Sequence, residues 1–86
     1  MKKILIVEDE EGMLDGLAHN FRYEGYEVLT AKNGQEGLRM ALKQKPDAVL
    51  LDIMLPEKDG FTVLKELRQR HKDIPVLVMT ARNFEA

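Results

Sequence analysis

Four consecutive apolar residues, Ala48-Val49-Leu50-Leu51, end abruptly in a single acid, Asp52. The run is too short for a helix and shows no alternation, which fits a strand buried on both faces. Strands of that kind lie in the middle of parallel sheets, so this stretch selects an α/β architecture. Pro56 stops any continuation of the ladder, and Asp59-Gly60 marks a turn. Ligands of open parallel sheets bind beyond the carboxyl ends of the strands. Asp52 stands at such an end and is the first candidate for chemistry.

The rest of the chain repeats the theme. Lys3-Ile4-Leu5-Ile6-Val7 is a second continuous apolar run, and it too ends in acids. From Glu10 to Glu24 the period becomes helical, with Met13, Leu14, Leu17, Ala18 and Phe21 on one face. Glu10, Glu11 and Asp15 fall early in that helix, where the dipole favours negative charge. Gly25 closes it at the C′ position. Tyr26 to Ala31 is a shorter and more mixed run, suited to a strand near an edge. Asn33-Gly34 reads as a turn. Gln35 to Lys45 carries Leu38, Ala41 and Leu42 at helical spacing, with Pro46 closing it. Gly60 to His71 predicts a third helix with Val63, Leu64 and Leu67 inward and Asp59 as N-cap. Val76-Leu77-Val78-Met79 is a fourth strand. The order β-α-β-α-β-α-β implies parallel strands joined by right-handed crossovers.

Eighty-six residues suffice for one small domain, spanning 1–86, with no internal boundary, repeat or low-complexity segment. Thirteen basic residues against fifteen acidic ones give a net charge of -2, which provides no strong field for nucleic acid or an anionic membrane. The absence of cysteine excludes disulfides and thiolate metal sites. No apolar stretch approaches the roughly 20 residues of a membrane span. Only Ile4 to Val7 separate Lys2-Lys3 from the acids at Glu8, too few for a signal peptide. The expected setting is cytoplasmic, with no direct contact to nucleic acid or membrane.

Three of the strand ends carry functional groups: Glu8 and Asp9 after the first, Asp52 after the third, Thr80 after the fourth. If the first and third strands are neighbours, the three carboxylates converge, and they resist ionising together. A hard divalent cation resolves that conflict. Mg²⁺ takes oxygen ligands, keeps several waters and pairs one or two carboxylates with phosphate oxygens. With the cation neutralising an incoming phosphoryl group, Asp52 is free to attack phosphorus. The Thr80 hydroxyl is placed to bond a phosphoryl oxygen, and small Ala81 lets the backbone approach. Taken singly, each group has a plainer reading. Acids after a strand serve helix N-termini, an Asp at a strand end serves a turn, and Thr80 serves nearby backbone. His19 and His71 are read as solvated, and Met13, Met40, Met54 and Met79 as core filler.

The joint pattern changes that weighting. Val7-Glu8-Asp9-Glu10, Leu51-Asp52-Ile53-Met54-Leu55-Pro56-Glu57-Lys58-Asp59-Gly60 and Val78-Met79-Thr80-Ala81-Arg82 together resemble the receiver domain of two-component response regulators. The resemblance runs from Met1 to Ala86. It implies a CheY-like, flavodoxin-like doubly wound sheet, here with four strands in the order 2-1-3-4 and three helices. It implies that Asp52 is the phosphoacceptor for a histidine kinase. By the same resemblance Glu8 and Asp9 bind Mg²⁺, with the backbone carbonyl of Met54 as a further ligand. Thr80 matches the switch hydroxyl, the Ala81 amide a phosphoryl contact, and Pro56 and Gly60 the loop that shapes the pocket.

Family members continue through a fourth helix, a fifth strand with an aromatic switch residue, a lysine that pairs with the phosphoryl group, and a fifth helix. This sequence stops near the start of the fourth helix. The expected unit is therefore a receiver lacking the fifth strand and fifth helix, with no effector domain. Its fourth strand would present an unpaired apolar edge, which favours a homodimer or other self-association, or else a molten state. Two other functions compete with this reading. A haloacid-dehalogenase-type phosphohydrolase needs a second Asp two residues after the nucleophile, and Met54 stands there. An engineered or folding fragment without physiological activity is the alternative that the sequence leaves open.

Overall fold

The alternating pattern folds as an open parallel sheet in a computed structural model that describes residues 1–55, 59–70 and 73–79. The elements run β1 (Lys3–Val7), α1 (Glu11–Tyr23), β2 (Glu27–Ala31), α2 (Gly34–Gln44), β3 (Ala48–Asp52), α3 (Gly60–Arg70) and β4 (Val76–Met79). The strand order is β2-β1-β3-β4, and every pairing is parallel. The two unbroken apolar runs thus become the two central strands. Leu5, Ile6, Val7 and Leu51 are fully buried. The mixed run, β2, takes one edge.

Strand alternation divides the core in two. Leu5, Val7, Val49 and Leu51 face one side, where they pack with Ala41 of α2 and with Val63 and Leu67 of α3. Ile4, Ile6 and Leu50 face the other, where Leu14 and Ala18 of α1 cover them. Two helices thus cover one face of the sheet and one covers the other.

Local signals fix the boundaries. Gly25 takes φ +98°, a left-handed conformation open to glycine at little cost. Its N–H donates to Arg22 O and that of Tyr26 to Phe21 O, which is the Schellman closure of α1. Asp59 caps α3 as expected, accepting from the Thr62 N–H at 2.9 Å. Three details differ from the sequence reading. Asn33-Gly34 is no separate turn: Asn33 is the N-cap of α2, accepting from Glu36 N–H, and Gly34 is its first residue. Glu10 stands before α1 as its N-cap, and Glu11 is the acid of its first turn, so Asp15 lies beyond the stretch where the dipole acts strongly. Met54 is 43% exposed and fills no core, because it follows the last buried residues of β3 into a loop.

Candidate functional site

The sheet register builds the site. Val7 lies beside Leu51 on β3, so Glu8 and Asp52, one residue further on, come level at the carboxyl ends of the two central strands. The Glu8 N–H continues the β1–β2 ladder by one bond, to Ala31 O at 3.0 Å. By alternation both Glu8 and Asp52 leave the sheet on the side covered by α1. Each is only 1% exposed, and they are the buried charged residues among those described. Asp9 is partly exposed. One carboxylate oxygen from each of Glu8, Asp9 and Asp52 lies within 4.8 Å of the others.

Backbone donors aim these carboxylates. Asp52 Oδ1 accepts from the Met54 N–H at 2.9 Å. Glu8 Oε2 accepts from the Glu10 N–H at 2.8 Å. The loop after β3 is pinned from two sides: Ile53 N–H donates to Met79 O on β4, and Gly60 N–H donates to Ile53 O, both at 3.2 Å. Gly60 approaches so closely that a Cβ on it would sit 2.3 Å from Ile53 Cα and 2.8 Å from Asp52 O. Only glycine fits there without displacing the backbone that carries Asp52.

Three carboxylates at this separation repel strongly unless a positive charge joins them. The donor set is all oxygen, with a partly exposed member that opens it to solvent. That suits a hard, hydrated dication such as Mg²⁺ and does not suit a soft metal. Of the residues singled out from sequence, Glu8, Asp9 and Asp52 are thus brought together, with Met54 next to them through its N–H. Thr80, Ala81 and Pro56 lie outside the described residues. Sequence reasoning missed Glu10 as a cap, because Glu is not among the preferred N-cap residues. It named Gly60 as a loop glycine but gave no sign of its contact with Ile53, which only the fold creates.

A doubly wound parallel sheet of order 2-1-3-4, with a buried acid at the end of β3 and two more beside it, defines a flavodoxin-like receiver fold. Comparison with known proteins narrows this further. A model of the response regulator receiver domain matches residues 4–86, and the chain belongs to that family. It is 46% identical over 84 residues to the alkaline phosphatase synthesis transcriptional regulatory protein PhoP of Bacillus subtilis (strain 168). That match covers 98% of this chain and 35% of PhoP, so the chain spans about a third of the curated relative's length. The response regulator TrrA of Thermotoga maritima, solved in complex with Mg(2+)-BeF, is 40% identical with a TM-score of 0.91, over 94% of this chain and 70% of that one. A structure of the histidine kinase ThkA in complex with TrrA matches at 37% identity and a TM-score of 0.89, over 100% and 75% of the two chains. No helix among the described residues is long and apolar enough to cross a membrane.

Proposed function

We propose that the chain is a phosphoacceptor module of a two-component system, taking a phosphoryl group on Asp52 from a histidine kinase with Mg²⁺. The observation that carries this reading is the buried Asp52 carboxylate with the oxygens of Glu8 and Asp9 within 4.8 Å. Asp9, Asp52 and the Met54 carbonyl would hold the cation, with Glu8 joining through water. When bound, Mg²⁺ supplies the charge that neutralises a phosphoryl group among three acids. The Met54 N–H orients the Asp52 carboxylate by holding Oδ1. An Asp52 oxygen attacks phosphorus, the O–P bond forms, and the N–P bond of the donor's phosphohistidine breaks with its electron pair returning to the imidazole nitrogen. Thr80 and the Ala81 amide are assigned to the phosphoryl oxygens. Such a module assists its own phosphorylation and dephosphorylation and is not a turnover enzyme. The setting fits the cytoplasm, with no direct role on nucleic acid. TrrA, a relative solved once with Mg(2+)-BeF and once in complex with the histidine kinase ThkA, supports the reading by similarity.

The test is treatment with a small phosphodonor and Mg²⁺, followed by intact mass. One phosphoryl adduct is expected on the unmodified chain and none on Asp52→Asn. An adduct that persists in the variant would overturn the assignment.

Self-association through β4 is a separable part of the proposal. Leu77 is 67% exposed and Val78 38%, on a strand at the edge of the described sheet. A second copy pairing edge to edge would extend the sheet across β4 and shield part of both side chains. Light scattering is expected to give a concentration-dependent mass above 9.9 kDa. A monomer at all concentrations would remove this part and leave the phosphoacceptor reading intact.

A further inference from the structure

We infer that Glu10, which is no ligand, is a positioning residue for the acidic pocket: by capping α1 it fixes the N–H that holds Glu8. The inference rests on the pocket reading above. Glu10 has extended backbone, with φ −82° and ψ 116°, between the end of β1 and the start of α1. Three of its atoms are engaged. Its N–H donates to Glu8 Oε2 at 2.8 Å. Its main-chain oxygen accepts the first helical bond, from Leu14 N–H at 2.9 Å. Its own carboxylate turns back onto the helix, where Oε1 accepts from Met13 N–H at 2.7 Å.

The consequence follows from where those bonds lead. Two of them clamp the residue to the first turn of α1, which is itself anchored by buried Leu14 and Ala18. The third reaches a carboxylate that is 1% exposed and belongs to the cluster of three. The position of the Glu10 N–H is therefore set by the helix, and the Glu8 carboxylate is aimed by that N–H. Such outer partners of metal ligands commonly govern affinity about as strongly as 10- to 100-fold. Glu8 joins through water, and removing the cap loosens the N–H without deleting it, so the lower end of that range applies.

Glu10 is exposed and acidic, so a plain charge effect on an incoming cation must be separated from positioning. Gln and Ser keep an acceptor for the helix N–H groups but carry no charge. Ala and Gly carry neither, and Gly at an N-cap costs little stability. The experiment is Mg²⁺ titration of the chain by calorimetry and amide shifts, with urea unfolding measured on the same variants without Mg²⁺. Glu10→Ala and Glu10→Gly are expected to weaken Mg²⁺ binding about tenfold. Glu10→Gln and Glu10→Ser are expected to stay within about twofold of the unmodified chain. Affinity lost equally in Glu10→Gln would overturn the inference in favour of a charge effect. Affinity unchanged in Glu10→Gly and Glu10→Ala, with the unfolding midpoint lowered in Glu10→Ala, would show a cap with no influence on the pocket. Absence of Mg²⁺ binding in the unmodified chain would overturn the pocket reading itself, and this inference with it.

Discussion

β1 and β4 carry the same kind of sequence and meet different fates. Ile4-Leu5-Ile6-Val7 and Val76-Leu77-Val78-Met79 are both unbroken apolar runs. In β1 none of these residues is more than 7% exposed. In β4 Leu77 is 67% exposed, although it lies in register with buried Leu50 on the neighbouring strand. The difference is position. β1 sits between two strands and beneath helices on both faces, whereas among the described residues β4 has a partner on one side and Leu77 projects on the α1 side, beyond the reach of that helix. A continuous apolar run therefore states that a strand has two faces to bury. It does not state what covers them.

Three substitutions sharpen this contrast. Leu5→Ala removes a fully buried side chain from the core shared with α2 and α3, and about 2–5 kcal/mol of stability should go with it in urea unfolding. A loss under about 1 kcal/mol would mean that β1 is not the packed centre of the sheet, since that core should not collapse to fill the space. Gly60→Ala should cost about 1–3 kcal/mol, because the new Cβ must displace Ile53 or the Asp52 carbonyl. It should weaken Mg²⁺ binding as well, which separates strain at the site from strain elsewhere. At a concentration where light scattering shows monomer, Leu77→Lys should move stability by no more than about 0.5 kcal/mol, the ordinary range of a surface change. A loss as large as that of Leu5→Ala would show that the β4 face is covered, and the contrast would fail.

The same contrast explains how much was legible in the sequence. Strand and helix order, the parallel sheet and the core faces follow from periodicity, because Val63 and Leu67 or Leu14 and Ala18 have no other way to be buried together. Asp52 was legible as an acid closing an apolar run. Its convergence with Glu8 was not, since that depends on β1 and β3 being neighbours in register, a long-range fact that local spacing does not encode. The resemblance supplied it. Asn33 misled as half of a turn pair, because an N-cap and a turn draw on the same side-chain chemistry. Met54 misled because an apolar residue next to a buried strand looks like core until the chain is seen to leave the sheet.

The central claim is that three acids from two strand ends act as one cation pocket around Asp52. Mg²⁺ titration followed by backbone amide resonances, on the unmodified chain and on Asp9→Asn, tests it most directly. The expected result is saturable shifts concentrated at Glu8, Asp9, Asp52 and Met54, and their loss in Asp9→Asn while both proteins stay folded. Shifts scattered over the surface acids, or unchanged affinity in Asp9→Asn, would contradict it.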